Sequence, residues 1–183
     1  MTSSKEPDNA CTAVDEDCKS ELTENLEAIR GIPIFKDIPH EIVRLHAYTA
    51  DRRRYRKGDL IFRQGERSRC AYLILSGAVD LLMEKEGETA PLQTLPAGEF
   101  FGYMALLAEF PWPLTSRAAE NAEMLVVSRE GFRKIWARFP EKCFAIVEKL
   151  VQMRVRRMAA HMEILAASMK NEKGVFELSH LNM

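Results

Sequence analysis

The chain shows little compositional bias, and each thing it lacks removes a class of function. Its 26 basic and 27 acidic residues leave a formal net charge of −1, so there is no global field to draw a nucleic acid or an anionic membrane. No apolar run approaches the roughly 18 residues of a spanning helix, and the polar N-terminus has no signal-peptide core. A soluble, cytoplasmic protein with no membrane partner is expected. Cysteine is sparse: Cys11, Cys18, Cys70 and Cys143 are scattered through a chain large enough not to need stapling, which suits free thiols in a reducing compartment. Histidine is scarcer where it would matter, since none of the four lies between Leu60 and Val127. No Ser/His/Asp or Cys/His grouping is present either, so no catalytic residues are assigned and an enzyme is not expected.

What is present is a chain of 183 residues, 46% hydrophobic, enough for one core with extensions. Residues 1–20 are polar, acidic and poor in large apolar groups, which predicts a disordered tail. From Glu21 to Ala50, Leu22, Leu26 and Ile29 recur at helical spacing, and a second short helix is expected over Ile38 to Leu45. His40 and His46 are six residues apart, a spacing that does not put them on one helical face for a metal. The basic run Arg52, Arg53, Arg54, Tyr55, Arg56 and Lys57 reads as an extended, solvated strand.

Short β-rich runs follow, Leu60 to Arg63, Ala71 to Leu75, Ala78 to Glu84 and Pro91 to Leu95, punctuated by Gly65, Gly77 and Gly87. With the strands that flank residues 98–127, about eight strands result, which predicts a jelly roll over residues 21–139 together with the N-terminal helices. A jelly-roll metalloenzyme needs two or three histidines with a carboxylate on its strands. That histidine-free interval leaves no candidate metal site.

Ser128 is placed to cap a helix from Glu130 to Arg138 that buries Phe132, Ile135 and Trp136. Pro140 then opens a long helix over residues 140–171. Phe144, Val147, Val151, Val155, Met158, Met162, Leu165 and Met169 step along it by threes and fours, one apolar stripe about 45 Å long. A stripe that overruns a domain of this size is best buried against a second copy, so a homodimer is expected. Arg154, Arg156 and Arg157 would flank the seam, and residues 172–183 read as a tail.

The organising stretch is GEFFGYMALLAEFPWPLTSRAAENAEMLVV, from Gly98 to Val127. A Gly-flanked turn leads into a helical turn and a half, Tyr103 to Ala108. A proline-stiffened loop, Phe110 to Leu114, then precedes a strand. Amides emerging from a glycine turn into a short helix favour an anion, so the local pattern suggests a phosphate pocket.

Gly98, Glu99, Phe100, Phe101, Gly102, Ala105, Leu106 and Leu107 together resemble the phosphate-binding cassette of the cyclic-nucleotide-binding domain, the sensor module of Crp/Fnr regulators and kinase regulatory subunits. Gly58 before Leu60, Ile61 and Phe62, then Gln64, Gly65 and Glu66, and Tyr72 to Ile74 before Ser76 and Gly77, extend the likeness over roughly Glu27 to Met169. The segment Ile34 to Pro39 also resembles the family's N-terminal helical turn. The resemblance implies a non-enzymatic regulatory or sensory module, with Gly98 to Leu106 (Tyr103 and Met104 included) and Trp112, Pro113, Leu114 and Thr115 as the ligand pocket, and with a dimer helix reading out the pocket.

Three positions depart from the family pattern. Tyr103 stands where the family usually has a glutamate for the ribose hydroxyl. Trp112 aligns with the arginine that pairs with the cyclic phosphate. Pro113 has no backbone N–H to offer at the next position. Losing one partner of a buried charge pair costs about 3–5 kcal/mol, which would turn a micromolar site into a roughly millimolar one. The expectation is a sensor fold that does not bind cAMP or cGMP by the usual contacts and signals through its dimer helix to a protein partner. The alternatives are a true cAMP- or cGMP-binding regulator and a structural dimerisation adaptor with an empty pocket. Arg117, five residues beyond Trp112, should face the opposite side by strand alternation.

Some relatives carry other cofactors. Two N-terminal thiols, Cys11 and Cys18, fall short of an iron–sulfur set. Haem-sensing relatives have a cysteine and a histidine at the positions of Gly102 and Met104, and here only Met104, with His161 as a distant partner, would be available. No cofactor is expected. Family transcription factors continue into a helix-turn-helix unit of several dozen residues. About a dozen residues follow Asn171, so nucleic-acid binding by this chain is not expected, unless it is a piece of a longer regulator.

Overall fold

The computed structural model describes residues 10–172, with side chains described over residues 20–167. Helices α1 (Ala10–Gly31) and α2 (His40–Thr49) precede eight strands: β1 (Asp51–Tyr55), β2 (Leu60–Phe62), β3 (Cys70–Ser76), β4 (Ala78–Lys85), β5 (Glu88–Pro96), β6 (Phe100–Phe101), β7 (Thr115–Ala118) and β8 (Ala122–Ser128). Helices α3 (Arg129–Arg138) and α4 (Pro140–Glu172) follow. All strand pairs are antiparallel, in two four-stranded sheets ordered β1-β8-β3-β6 and β2-β7-β4-β5. This is the expected jelly roll. The chain divides within α4 into two units, one ending at Ile146 and one beginning at Val147.

Alternation along the strands builds two layers of core. Tyr72 and Ile74 of β3, Phe101 of β6 and Met124 and Val126 of β8 meet Phe62, Val79 and Leu95 of the other sheet in one buried cluster. Their alternates on β3 and β8, Ala71, Leu73, Leu125 and Val127, are also buried, on the opposite face of that sheet. On that side α2 and α3 lie against β8, and Ile42, Val43, Phe132 and Ile135 are buried on the two helices. Ser128 caps α3 as expected, its Oγ accepting from the Gly131 N–H at 3.0 Å. Gly77 is required at its turn: it has φ +79°, and a Cβ there would lie 2.3 Å from the Asn121 carbonyl oxygen.

Three readings are corrected. The expected tail of residues 1–20 is helical from Ala10 onward, because a polar segment continuous with an amphipathic helix only has to propagate it, not nucleate it. Cys11 and Cys18 lie in that stretch, outside the described side chains. The helical turn and a half expected over Tyr103 to Ala108 is a single 3-10 turn, Tyr103–Leu106, entered from Gly102 in the left-handed region. The segment resembling an N-terminal helical turn does form one, a 3-10 turn at Pro33–Phe35. The basic run is only partly solvated, since Arg52 donates from Nε to Asn25 Oδ1 at 2.7 Å and pairs with Glu24 at 2.9 Å, fastening β1 to α1.

Charges around β1 are largely matched within the fold, since Arg54 pairs with Glu123 at 3.0 Å and Arg53 with Asp51 at 3.7 Å. Cys70 is half-buried and Cys143 buried, both free, with burial raising each thiol's pKa and so holding it neutral. The segment expected as a tail over residues 172–183 begins at the last residue of α4 and otherwise lies outside the described residues.

His46 of α2 is fully buried, and neither ring nitrogen has a hydrogen-bond partner. Its ring lies 5.0 Å from Phe35 and 5.5 Å from Phe132. Burial lowers its pKa from 6.5 to about 4, so between those values the unfolded chain binds a proton that the folded chain does not. Stability from this group is therefore complete above pH 6.5 and declines as the pH falls towards 4. Urea unfolding at pH 8 and pH 5 should show a loss of about 2 kcal/mol that is missing in His46→Leu. Equal losses in both proteins would show that His46 titrates normally.

Candidate ligand pocket and its aromatic filling

The cassette is held to the sheet by its backbone. Gly98 donates to the Ile74 carbonyl at 2.8 Å and Ile74 donates to the Glu99 carbonyl at 3.1 Å. Phe100 and Phe101 then pair with Leu73 and Tyr72. Gly102, at φ +69°, reverses the chain, and Ala105 N–H closes the 3-10 turn on the Gly102 carbonyl at 2.9 Å. Gly98 is exposed, Glu99 and Met104 are half-buried, and Ala105 and Leu106 are buried.

The proline-flanked loop is fastened as firmly. Trp112 donates to the Glu66 carbonyl and accepts from Gly65 N–H, both at 2.8 Å, while Ser68 N–H reaches the Phe110 carbonyl at 2.9 Å. Arg67 and Pro111 form an isolated bridge. This pairing settles the direction of the indole ring, which enters the barrel cluster and is 6% exposed. It stacks on Phe62 with centroids 4.1 Å apart and planes 14° apart, and Phe110 meets its edge at 5.5 Å. Phe62 in turn lies 5.7 Å from Tyr72 and 6.2 Å from Phe101.

Trp112 also presses on the cassette turn. A Cβ at Gly102 would stand 2.9 Å from the indole Cη2, so the turn and the ring share one volume. Tyr103 is buried elsewhere, stacked on Phe100 at 6.0 Å, and its ring is not part of the Trp112 cluster. Pro113 is exposed and Leu114 half-buried. Thr115 is buried, its Oγ1 donating to Glu84 at 2.5 Å and accepting from Gln64 N–H at 2.9 Å. Arg117 projects outward to Asp80 at 3.5 Å, as alternation predicted. The predicted pocket residues thus divide between two separate ring stacks and a hydrogen-bonded strap. Among the described residues no group of three His, Cys, Asp or Glu side chains could hold a metal.

One residue that sequence reasoning passed over fastens the cassette to α3. Arg129, the first residue of α3, donates from Nε to the Ala105 carbonyl at 2.5 Å, from Nη2 to the Ser68 carbonyl, and from Nη1 to Glu109 at 3.3 Å. Its backbone N–H also reaches the Arg69 carbonyl at 2.8 Å. The only signal available in sequence was an arginine directly after a helix cap.

These features define a jelly-roll domain with a cassette between β6 and β7. Residues 52–139 match the family described as the cyclic nucleotide-binding domain. The chain is 32% identical over 131 residues to the cyclic AMP receptor protein of Thermus thermophilus, covering 71% of this chain and 59% of that protein. It also resembles the solved catabolite activator protein of Thermus thermophilus (31% identity, TM-score 0.61, covering 74% of this chain and 63% of that one). A cyclic nucleotide-binding-like protein of Brucella abortus aligns at 28% identity and TM-score 0.57, covering 62% of this chain and 98% of that one. The chain therefore spans about three fifths of the length of its Thermus relatives. Residues 52–139 belong to the cyclic nucleotide-binding domain family.

Trp112→Ala should destabilise the domain by about 3–5 kcal/mol, since the ring leaves a void among Phe62, Phe110 and the Gly102 turn. Thermal unfolding should fall by roughly 10 °C. A change under about 1 kcal/mol would mean that the ring is not seated in the barrel.

Proposed function

We propose that this protein is a cytoplasmic, non-enzymatic regulatory module for signal transduction whose cassette does not take cAMP or cGMP through the family's ribose and phosphate contacts. The observation that carries this reading is the indole of Trp112, stacked on Phe62 and packed against Gly102 at the position that aligns with the family's phosphate arginine. A bound cyclic phosphate would have to expel that ring from its stack on Phe62, and the side chain at the arginine's position carries no charge to pair with it. Tyr103, in place of the ribose-binding glutamate, is committed to Phe100.

Output in this reading passes through the final helix of a homodimer to a partner protein. Val151, Val155, Met158, Met162 and Leu165 of α4 are 46–56% exposed, an apolar stripe that a second copy would cover. Phe144 is more exposed still and Val147 is half-buried, while Met169 lies outside the described side chains. The methionines suit a seam that repacks. Ligand sensing, if the cassette has an occupant, would act by shifting this seam. No helix among the described residues is long and apolar enough to cross a membrane. A cAMP-binding regulator is the second reading, favoured by the 32% identity to a protein named for cyclic AMP.

Thermal unfolding with saturating cAMP or cGMP separates the two readings. Ligand at about a hundred times its dissociation constant adds about 2.7 kcal/mol, or roughly 5–10 °C for a domain of this size. No shift is expected, and a shift of that order would establish the second reading. Light scattering tests the dimer: Val155→Glu with Met158→Glu should give the mass of one chain where the parent gives two, with the barrel's unfolding midpoint unchanged. A parent of single-chain mass would remove the helix seam.

A further inference from the structure

Between α2 and the junction of α3 with α4 runs a groove of about 350 Å³, open to solvent and lined by His40, Glu41, Arg44, Leu45 and Tyr48 on one side and Arg138 and Phe139 on the other. Its wall on α2 follows from helical spacing, because positions 41, 44, 45 and 48 share one face while Ile42, Val43, His46 and Ala47 are buried on the other. From Glu41 to Tyr48 the wall is about 12 Å long. Tyr48 is 77% exposed, more than any other large apolar or aromatic side chain among the described residues.

The groove has a polarity. Neither Arg44 nor Arg138 makes an ion pair among the described residues. The Arg138 guanidinium stands 5.5 Å from the Phe139 ring centroid, held beside the apolar floor by its attraction to the ring face. Glu41 lies in the first turn of α2, where the helix dipole already favours a carboxylate. An apolar floor flanked by two uncommitted guanidiniums calls for apolar side chains with an acid beside them. Because the trough is open and as long as two turns of helix, it suits a segment of a protein better than an enclosed small molecule.

We propose that this groove docks an acidic amphipathic segment of a partner protein, with its apolar side chains against Leu45, Tyr48 and Phe139 and its carboxylates on Arg44 and Arg138. The inference rests on the reading that the module's output goes to a protein partner. Its placement gives docking a route to the cassette: Arg138 and Phe139 end α3, whose first residue, Arg129, grips the cassette turn at Ala105.

The test is fluorescence anisotropy on the full chain. The probe is a labelled helical peptide of about 15 residues, with Leu and Phe on one face and Glu along its border, compared with the same peptide carrying Lys for Glu. The Glu peptide should bind and the Lys peptide should not, and Arg44→Glu with Arg138→Glu, or Tyr48→Ala alone, should each weaken binding by about tenfold or more. These side chains are on the surface, and unfolding midpoints within a few degrees of the parent would show that the variants fold. Absent binding, equal binding of the Lys peptide, or binding unchanged by both variants would overturn the proposal. So would loss of self-association in Tyr48→Ala, which would assign the groove to a second copy of the chain. A failed docking test alongside no thermal shift with cAMP or cGMP removes the docking site alone, whereas a nucleotide shift removes the reading of the cassette.

Discussion

The face-to-face contact of Trp112 with Phe62 is the constraint on which the barrel's interior depends. Phe62 belongs to one sheet, Tyr72 and Phe101 to the other, and Trp112 to the loop that leads into β7, so one stack of rings joins both sheets and the cassette. The same indole fixes Gly102, whose missing Cβ is the space the ring occupies. Where a charged phosphate contact would require a cation kept wet or paired, this barrel has aromatic surface that releases water when it packs. The ring thus strengthens the core of the barrel.

Rigidity in the cassette extends outward through hydrogen bonds. The 65–68 segment pairs with the 110–112 loop, and Arg129 joins the Ala105 and Ser68 carbonyls to the start of α3. A guanidinium fits that post because its planar fork can serve several carbonyls and a carboxylate at once, which an ammonium on a flexible stem cannot do with the same geometry. The Arg129 side chain thus ties the cassette turn to the start of α3.

The chain's two families of arginine have different work. Arg52, Arg54 and Arg117 meet carboxylates within the fold and hold β1, α1 and the β4–β7 pair. Arg44 and Arg138 face a groove with exposed aromatic surface. The same residue type in a near-neutral protein can therefore be paired within the fold in one place and left at an open groove in another, depending on whether the fold supplies the opposing carboxylate.

Short β-rich runs between glycine turns, Ser128 before a helical pattern and Pro140 before a 3.6-period stripe determined the eight-strand jelly roll, the capped helix and the long C-terminal helix, because such signals are local and survive without knowledge of neighbours. The glycine order and the Tyr103, Trp112 and Pro113 departures were equally legible, being identities at fixed spacing. What only the tertiary structure decided is where side chains go when distant segments meet. Trp112 turns inward because residues 65–68 pair with its backbone. His46 is entombed between Phe35 and Phe132, which come from two other elements. Arg129 becomes a clamp because three carbonyls and a carboxylate converge on it, and Ala10 to Ser20 is helical because it extends a helix whose cost of nucleation is met further along. Contacts between residues tens of positions apart leave no periodic trace in the chain, so the filling of the barrel could be read only once the two sheets had closed around it.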